Sequence, residues 1–181
     1  AAAPASAAGE DGLWDVVRVG MDVRTTEGEQ GTVYQRDSKK VLLKTATEHR
    51  WVPVEDVLVL RLCILGAKGL RIADWLSGSS DPYCTCQVEG RPKTKVQTET
   101  VKNCLNPSWN FEAMYACFAE GDKLVFEIWD KDTGKPDDHL GRATLELESA
   151  LAPGGFDGTL CLFSQKGKQA PGKLQVQAAL G

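Results

Sequence analysis

Apolar and polar residues alternate along this chain in short runs, and clusters of turn-forming residues separate the runs. Alternation with a period of two is typical of β-strands that bury one face. No apolar spacing of 3.6 residues persists for more than two helical turns, so long amphipathic helices are not expected. The pattern therefore predicts an all-β protein, and it divides into two blocks near residue 57.

Residues 1–12 are predicted to be a linker or disordered lead-in, and residues 13–56 a small β-barrel-like domain. The four strands predicted for this domain are Met21–Arg24, Gly31–Gln35, Val41–Lys44 and His49–Val52. The run GMDVRT…GTVYQRDSKKVLLKTATEHRWVPVEDVLVL resembles a Src-homology-3-like or Tudor-like barrel. Trp51 and Tyr34 are predicted to pack in its core, and the alternative is an aromatic groove for a peptide. A protein partner that binds through residues 13–56 is therefore possible.

Residues 57–181 carry eight alternating runs with turns at regular intervals, which predicts an eight-stranded antiparallel sandwich. The runs are VLVLRLCIL, DPYCTCQVEG, KTKVQT, NFEAMYAC, KLVFEIWD, LGRATLEL, GTLCLF and GKLQVQAAL.

Composition argues against several classes of protein. The longest apolar stretch, Leu62 to Ala67, has about six residues, whereas a membrane-spanning helix needs about 18 or more. The net charge of −4 argues against sequence-independent nucleic-acid binding, which requires a basic surface. Six cysteines in 181 residues are too few for a disulfide scaffold. We therefore expect a cytoplasmic protein with reduced cysteines, recruited to membranes only as a peripheral protein.

Five aspartates follow two of the predicted strands of the sandwich. Asp74 and Asp81 follow the first strand, and Asp130, Asp132 and Asp138 follow the fifth. If both loops meet at one end of the sandwich, each pair of charges about 4 Å apart repels by about 1–4 kcal/mol, so a cation is needed to neutralise them. Oxygen ligands without cysteine or histidine select hard cations, and flexible loops favour Ca2+ over Mg2+. The prediction is two or three Ca2+ ions.

The segments GLRIADWLSGSSDPYC, LNPSWNF and VFEIWDKDTGKPDDHLG together resemble the C2 domain, an eight-stranded sandwich that binds calcium and lipid. The resemblance covers Val57 to Leu180 and implies that the five aspartates are ligands, joined by the backbone carbonyls of Ala73 and Lys131. It also implies the permuted, type II strand order, because the chain ends with the strand that other members carry first. Asp137 departs from the family pattern and is predicted to add negative field rather than a ligand.

Two sets of residues are candidate lipid contacts. Trp75 and Leu76 lie beside Asp74 at the predicted tip of the first loop, where an exposed apolar pair suits insertion into a membrane interface. The alternative is that Trp75 folds back onto the sandwich. Lys93 and Lys95 alternate onto one predicted strand face, and the resemblance implies phosphoinositide binding there. A solvated sheet face is the alternative.

These features predict a calcium-dependent phospholipid-binding module that docks its parent protein on anionic membranes. One alternative is a calcium-independent protein–protein interaction module, and another is the targeting part of a lipid-modifying enzyme. The two histidines, His49 and His139, lie in different blocks, and no serine or cysteine nucleophile motif accompanies either. We therefore expect no enzymatic activity from this chain.

Overall fold

The computed structural model describes residues 17–37, 39–73, 78–116, 118 and 121–180. The predicted lead-in, residues 1–12, lies outside the described residues. Two groups of strands follow one another along the chain, and each buries its own apolar cluster. No helix among the described residues is long and apolar enough to cross a membrane.

The first group, which we call the barrel, is an antiparallel meander of four strands in sequence order. Its strands are β1 (Asp22–Arg24), β2 (Gln30–Arg36), β3 (Lys40–Lys44) and β4 (His49–Pro53). After a 3-10 turn, Val54–Asp56, the chain returns to pair Val57 with Thr25 at the end of β1. This pairing curls the sheet towards closure over its apolar face.

The structure places the two barrel aromatics outside, so the expectation that they pack in the core is wrong. Tyr34 is 61% exposed and Trp51 is 43% exposed. The reason is strand alternation: Val52 is buried against β3, so its neighbour Trp51 must face outward. The Tyr34 ring packs edge-on against His49, with the ring centroids 5.3 Å apart.

The second group contains the eight predicted strands and one short helix, α1. The strands are β5 (Leu60–Lys68), β6 (Pro82–Val88), β7 (Val96–Gln97), β8 (Ser108–Tyr115), β9 (Lys123–Asp130), β10 (Asp138–Glu146), β11 (Phe156–Phe163) and β12 (Gln169–Leu180). Helix α1 (Leu147–Leu151) connects β10 to β11.

These strands form two four-stranded layers, in the orders β7-β6-β9-β10 and β11-β12-β5-β8. One residue pair, Arg142 with Phe163, joins the layers. The last strand, β12, lies directly beside β5, the first strand of the sandwich, as the predicted strand order requires. All the pairs are antiparallel, so the prediction of an all-β, eight-stranded antiparallel sandwich is confirmed.

The sandwich core is apolar and includes two thiols. Cys84 and Cys86 point to the same side of β6 and are fully buried. Burial raises the pKa of the Cys86 thiol to about 12, because the thiolate is disfavoured away from water. Both cysteines therefore act as small apolar core residues.

The barrel packs against one end of the sandwich. Its apolar cluster includes Val57 and Val59 before β5, together with Ala116 after β8, and Met114 packs against it. We call these four residues the seam. Leu60 at the start of β5 pairs with Tyr115 at the end of β8. The seam therefore lies where β5 begins and β8 ends.

The opposite end of the sandwich, here called the loop end, carries three loops. They comprise residues 69–81 before β6, of which 69–73 and 78–81 are described, residues 98–107 before β8, and residues 131–137 between β9 and β10. Strands of eight or nine residues separate the two ends, which is about 25–30 Å at 3.3 Å per residue.

Candidate metal centre

The first loop is fixed to the second by the LNPSW motif. The Asn106 side chain accepts a hydrogen bond from the N–H of Gly69 at 2.8 Å. The backbone carbonyls of Leu105 and Pro107 accept the N–H groups of Leu70 and Ala67, at 3.0 and 2.9 Å. These bonds occupy backbone groups that no strand pairs, and they set the direction in which the first loop leaves β5.

Ser80 closes the first loop from its other side. Its hydroxyl is buried, accepts the N–H of Ala73 at 3.0 Å and donates to the carbonyl of Arg71 at 3.1 Å. The Arg71 guanidinium donates to the carbonyl of His139 at 2.8 Å, which connects this loop to β10. The base of the loop is therefore held on both sides.

Asp81 connects all three loops. Its carboxylate accepts the N–H of Asn103 in the second loop at 2.8 Å. Its carbonyl accepts the N–H of Lys131 in the third loop at 2.9 Å, and its own N–H donates to the carboxylate of Asp130. The SDPY motif thus places one predicted ligand where the loops meet.

The other predicted ligands that the structure describes are Asp130, Asp132 and Asp138, and they belong to the third loop and its two strand ends. Asp130, at the end of β9, pairs with Pro82 on one side and with Asp138 on the other, so the sheet register brings the end of the first loop beside both ends of the third. Asp130 is fully buried, and the side chain of Asp132 is only 6% exposed, whereas that of Asp138 is 45% exposed. Carboxylates this buried need positive charge or hydrogen bonds nearby.

Positive charge is supplied here by a lysine of the third loop. The Lys135 ammonium lies 3.1 Å from Asp132 Oδ2 and 3.0 Å from Asp138 Oδ2. Among the described residues, no three carboxylate, imidazole or thiol groups converge as a ready metal cage. The candidate ligand atoms are all carboxylate oxygens, and two of them already contact one cation, the Lys135 ammonium. Such a set of atoms fits a hard divalent ion.

The Asp137 carboxylate stabilises the third loop through three contacts. Its carboxylate accepts the Tyr83 hydroxyl at 2.7 Å, the N–H of Asp132 at 3.1 Å and the Lys131 ammonium at 3.1 Å. The Tyr83 hydrogen bond, above all, lowers the pKa of Asp137. Burial, together with the same bond, raises the pKa of Tyr83. Asp137 therefore acts as a loop-bracing acceptor, a role that the sequence did not indicate.

Three predicted site residues, Asp74, Trp75 and Leu76, lie outside the described residues. The chain that leads to them includes Ile72, which is 50% exposed at the loop end. Ile72 is not among the predicted site residues, although an apolar residue two positions before a predicted ligand is a signal that the sequence offers. Ala73, whose carbonyl the resemblance implies as a ligand, is fixed through its N–H by Ser80.

Lys93 and Lys95 are both exposed, but they do not share a strand face as expected. Lys93 lies in a 3-10 turn, Pro92–Thr94, and Lys95 follows that turn, while β7 has only two residues. The physical reason is Pro92, whose fixed φ suits the first position of a helical turn. The basic patch therefore belongs to a turn beside β6 rather than to a strand.

Comparison with known proteins matches residues 58–162, more than half of the chain, to the C2 domain family. The "Protein C2-DOMAIN ABA-RELATED 11" of Arabidopsis thaliana is 35% identical over 98 residues, which are 54% of this chain and 56% of that protein. The E3 ubiquitin-protein ligase NEDD4 of Mus musculus is 32% identical over 109 residues, 59% of this chain and 12% of that protein. This chain thus spans less than two thirds of either relative.

Among solved structures, the calcium-bound C2A and C2B domains of Extended-Synaptotagmin 2 superpose with a TM-score of 0.55 at 27% identity. The superposition covers 67% of this chain and 45% of that chain.

Proposed function

This chain belongs to the C2 domain family, and we propose that it is a calcium-dependent module that docks its parent protein on anionic phospholipid membranes. The proposed ligands of two or three Ca2+ ions are Asp74, Asp81, Asp130, Asp132 and Asp138. The observation that carries the proposal is the cluster of buried or half-buried carboxylates at the loop end, which holds a lysine ammonium between two of its members.

Electrostatics supports the dependence on calcium. Five aspartates give the loop end a charge that repels anionic lipid, and calcium supplies the positive charge that reverses this repulsion. Asp130 and Asp132 are held in place by the sheet and by backbone bonds, so they offer their oxygens without a large loss of conformational freedom. Calcium binding and lipid binding are then thermodynamically linked. Bound lipid increases the affinity of the carboxylates for calcium, and bound calcium increases the affinity of the loop end for lipid.

Apolar contacts complete the docking surface. Ile72 supports this part of the proposal, because its side chain is half exposed at the loop end and gains burial only against another apolar phase. Trp75 and Leu76, three and four residues further along the same loop, are proposed to enter the interface with it. Lys93 and Lys95 add attraction to anionic headgroups, worth about 1 kcal/mol per cation near the membrane surface.

The barrel is proposed to hold a protein partner rather than lipid. Tyr34 and Trp51 face outward, and the barrel packs at the seam, at the opposite end of the sandwich from the calcium loops. A module docked through its loop end would therefore present the barrel away from the membrane. We propose binding, not catalysis, as the activity of this chain, in the cytoplasm and at membranes.

Co-sedimentation with vesicles that contain phosphatidylserine tests the proposal, with calcium in one sample and a chelator in the other. The wild-type chain is expected to sediment only with calcium. The double variant Asp130→Asn, Asp132→Asn keeps the shape of both side chains and is expected to stay in the supernatant. Asp157→Asn is the matched control, because Asp157 is exposed on β11 and bonds only Gln177 among the described contacts.

Three results would contradict parts of the proposal. Calcium-dependent sedimentation of the double variant would show that the ligand assignment is wrong. Sedimentation in both conditions would make the Lys93 and Lys95 turn a constitutive anchor. No sedimentation in either condition would favour the calcium-independent protein-interaction module.

A further inference from the structure

Lys135 and Lys131 are two lysines of one loop with different partners. The side chain of Lys135 is 52% exposed and that of Lys131 is 55% exposed, so their solvent environments are similar. The Lys135 ammonium, however, lies between Asp132 and Asp138, both proposed calcium ligands. The Lys131 ammonium pairs with Asp137, the loop brace, and lies over the Tyr83 ring at 5.9 Å from its centroid.

The position of Lys135 is incompatible with a divalent ion on the same oxygens. Calcium binds carboxylate oxygens at about 2.3–2.6 Å, and Asp132 Oδ2 and Asp138 Oδ2 are the two atoms that the ammonium contacts. Asp132 Oδ2 is itself buried, so no second face of that atom is open to solvent. Two cations cannot share these oxygens at contact distance without strong repulsion.

We propose that Lys135 is a tethered cation that holds the place of calcium in the calcium-free protein and raises the calcium concentration at which the loops fill. This inference rests on the proposed function and adds its regulation. Lys135 reaches both carboxylates from within one loop, because it is three residues from Asp132 and three from Asp138. Gly134, with a φ of +83°, turns the chain so that the lysine side chain points back to both.

The displaced ammonium has a second consequence. Once calcium takes the oxygens, the Lys135 side chain leaves the cluster on a loop that faces the proposed membrane. An anionic headgroup then offers it a replacement partner, so lipid recovers part of the free energy that displacement costs. Lys135 thereby increases the dependence of calcium affinity on lipid.

The test is calorimetric titration of the whole chain with calcium, without lipid, for the wild type, Lys135→Gln and Lys131→Gln. Both variants remove one positive charge from the same loop, so the general field changes equally. Lys135→Gln also removes the competing cation, and we expect it to bind calcium about three- to tenfold more tightly than the wild type. Lys131→Gln is expected to change the affinity by about twofold at most.

A second titration, in the presence of phosphatidylserine vesicles, measures the lipid-induced gain in calcium affinity. Lys135→Gln is expected to show a smaller gain than the wild type, while Lys131→Gln keeps it. Equal affinities for the two variants in the absence of lipid would overturn the proposal, because net charge alone would then explain the effect.

A calcium-free measurement separates this inference from the proposed function. In chelator, Lys135→Gln is expected to shift the carboxylate carbon resonances of Asp132 and Asp138, and Lys131→Gln those of Asp137. If no protein of the three takes up calcium, the proposed function fails, and unshifted Asp132 and Asp138 resonances would overturn the Lys135 contact as well. If only Lys135→Gln takes up calcium, the tethered cation excludes the ion completely, which supports the inference.

Discussion

The two ends of the sandwich are stabilised by different forces. At the seam, Val57, Val59 and Ala116 are at most 3% exposed, and their cluster contains apolar side chains from both strand groups. At the loop end, the buried side chains include Asp130 and Ser80. A hydrogen bond from the Asp81 N–H to Asp130 joins the first loop to the third, and an ion pair joins Lys135 to Asp132 within the third loop. Apolar burial is insensitive to ions, whereas a carboxylate cluster responds to every cation that enters it.

Apolar packing and polar loop contacts therefore occupy opposite ends of the sandwich. The seam fixes the barrel on the sandwich through contacts that need no ligand. At the loop end, Asp132 and Asp138 share the Lys135 ammonium. Asp130 accepts the N–H of Asp81, so polar contacts set the geometry there. Variants that act on one end and leave the other unchanged measure how independent the two ends are.

The largest effect is expected at the seam. Val59→Ala removes two buried carbons and leaves a cavity, which we expect to cost about 2 kcal/mol in the free energy of unfolding. Urea denaturation measures it. Val19→Ala is the control, since Val19 is 59% exposed and its loss is expected to stay within about 0.5 kcal/mol.

The same seam variant also measures whether the two ends of the sandwich are independent when calcium is present. Its thermal midpoint is expected to rise on calcium addition by as much as that of the wild type, because the seam lies about 25–30 Å from the loop end. A diminished rise would show that the two ends are coupled.

An intermediate effect is expected at the apolar part of the loop end. Ile72→Asn replaces a half-exposed apolar side chain with a polar one, and we expect the affinity for phosphatidylserine vesicles with calcium to fall about five- to tenfold. Val19→Asn makes the equivalent change on the barrel and is expected to bind as the wild type does. Equal losses for the two variants would place membrane contact on both ends.

The smallest effect is expected at the loop brace. Tyr83→Phe removes the hydroxyl that donates to Asp137 at 2.7 Å, and we expect a loss of about 1 kcal/mol of stability at pH 7. The variant also tests how the Asp137 carboxylate contributes to the pH dependence of stability. The pKa of Asp137 is lowered in the folded protein, chiefly by this bond, so its stabilisation is complete above the unfolded pKa of about 3.9 and is lost as the pH falls through the lower folded pKa.

Unfolding free energies measured between pH 7 and pH 2 check this prediction. The difference between the wild type and Tyr83→Phe is expected to be constant above about pH 5 and to shrink in the acid range. A difference that persists unchanged at pH 2 would mean that the hydroxyl acts through packing and not through the Asp137 carboxylate.

The alternation of apolar and polar residues predicts the strands well and some side-chain positions poorly. The four barrel strands lie within one residue of their predicted bounds at each end, because alternation of apolar residues is a local signal. Residue type favours the core for Trp51 and Tyr34, but the alternation around Val52 requires Trp51 to face outward. Alternation predicts a strand for Lys93 and Lys95, although Pro92 favours a helical turn.

The sequence alone determined the all-β class, the eight strands of the sandwich and the place of the aspartates at strand ends, because each follows from residues near one another in the chain. The contacts that those residues make there depend on the tertiary structure. Asp137 and Asp138 are neighbours in sequence, yet Tyr83 from β6 engages the first while the second lies opposite Asp130 across the β9–β10 pair. The position of the Lys135 ammonium between two carboxylates likewise depends on the path of a folded loop. Distances between groups that the chain brings together from different strands are set by packing, and no local pattern encodes them.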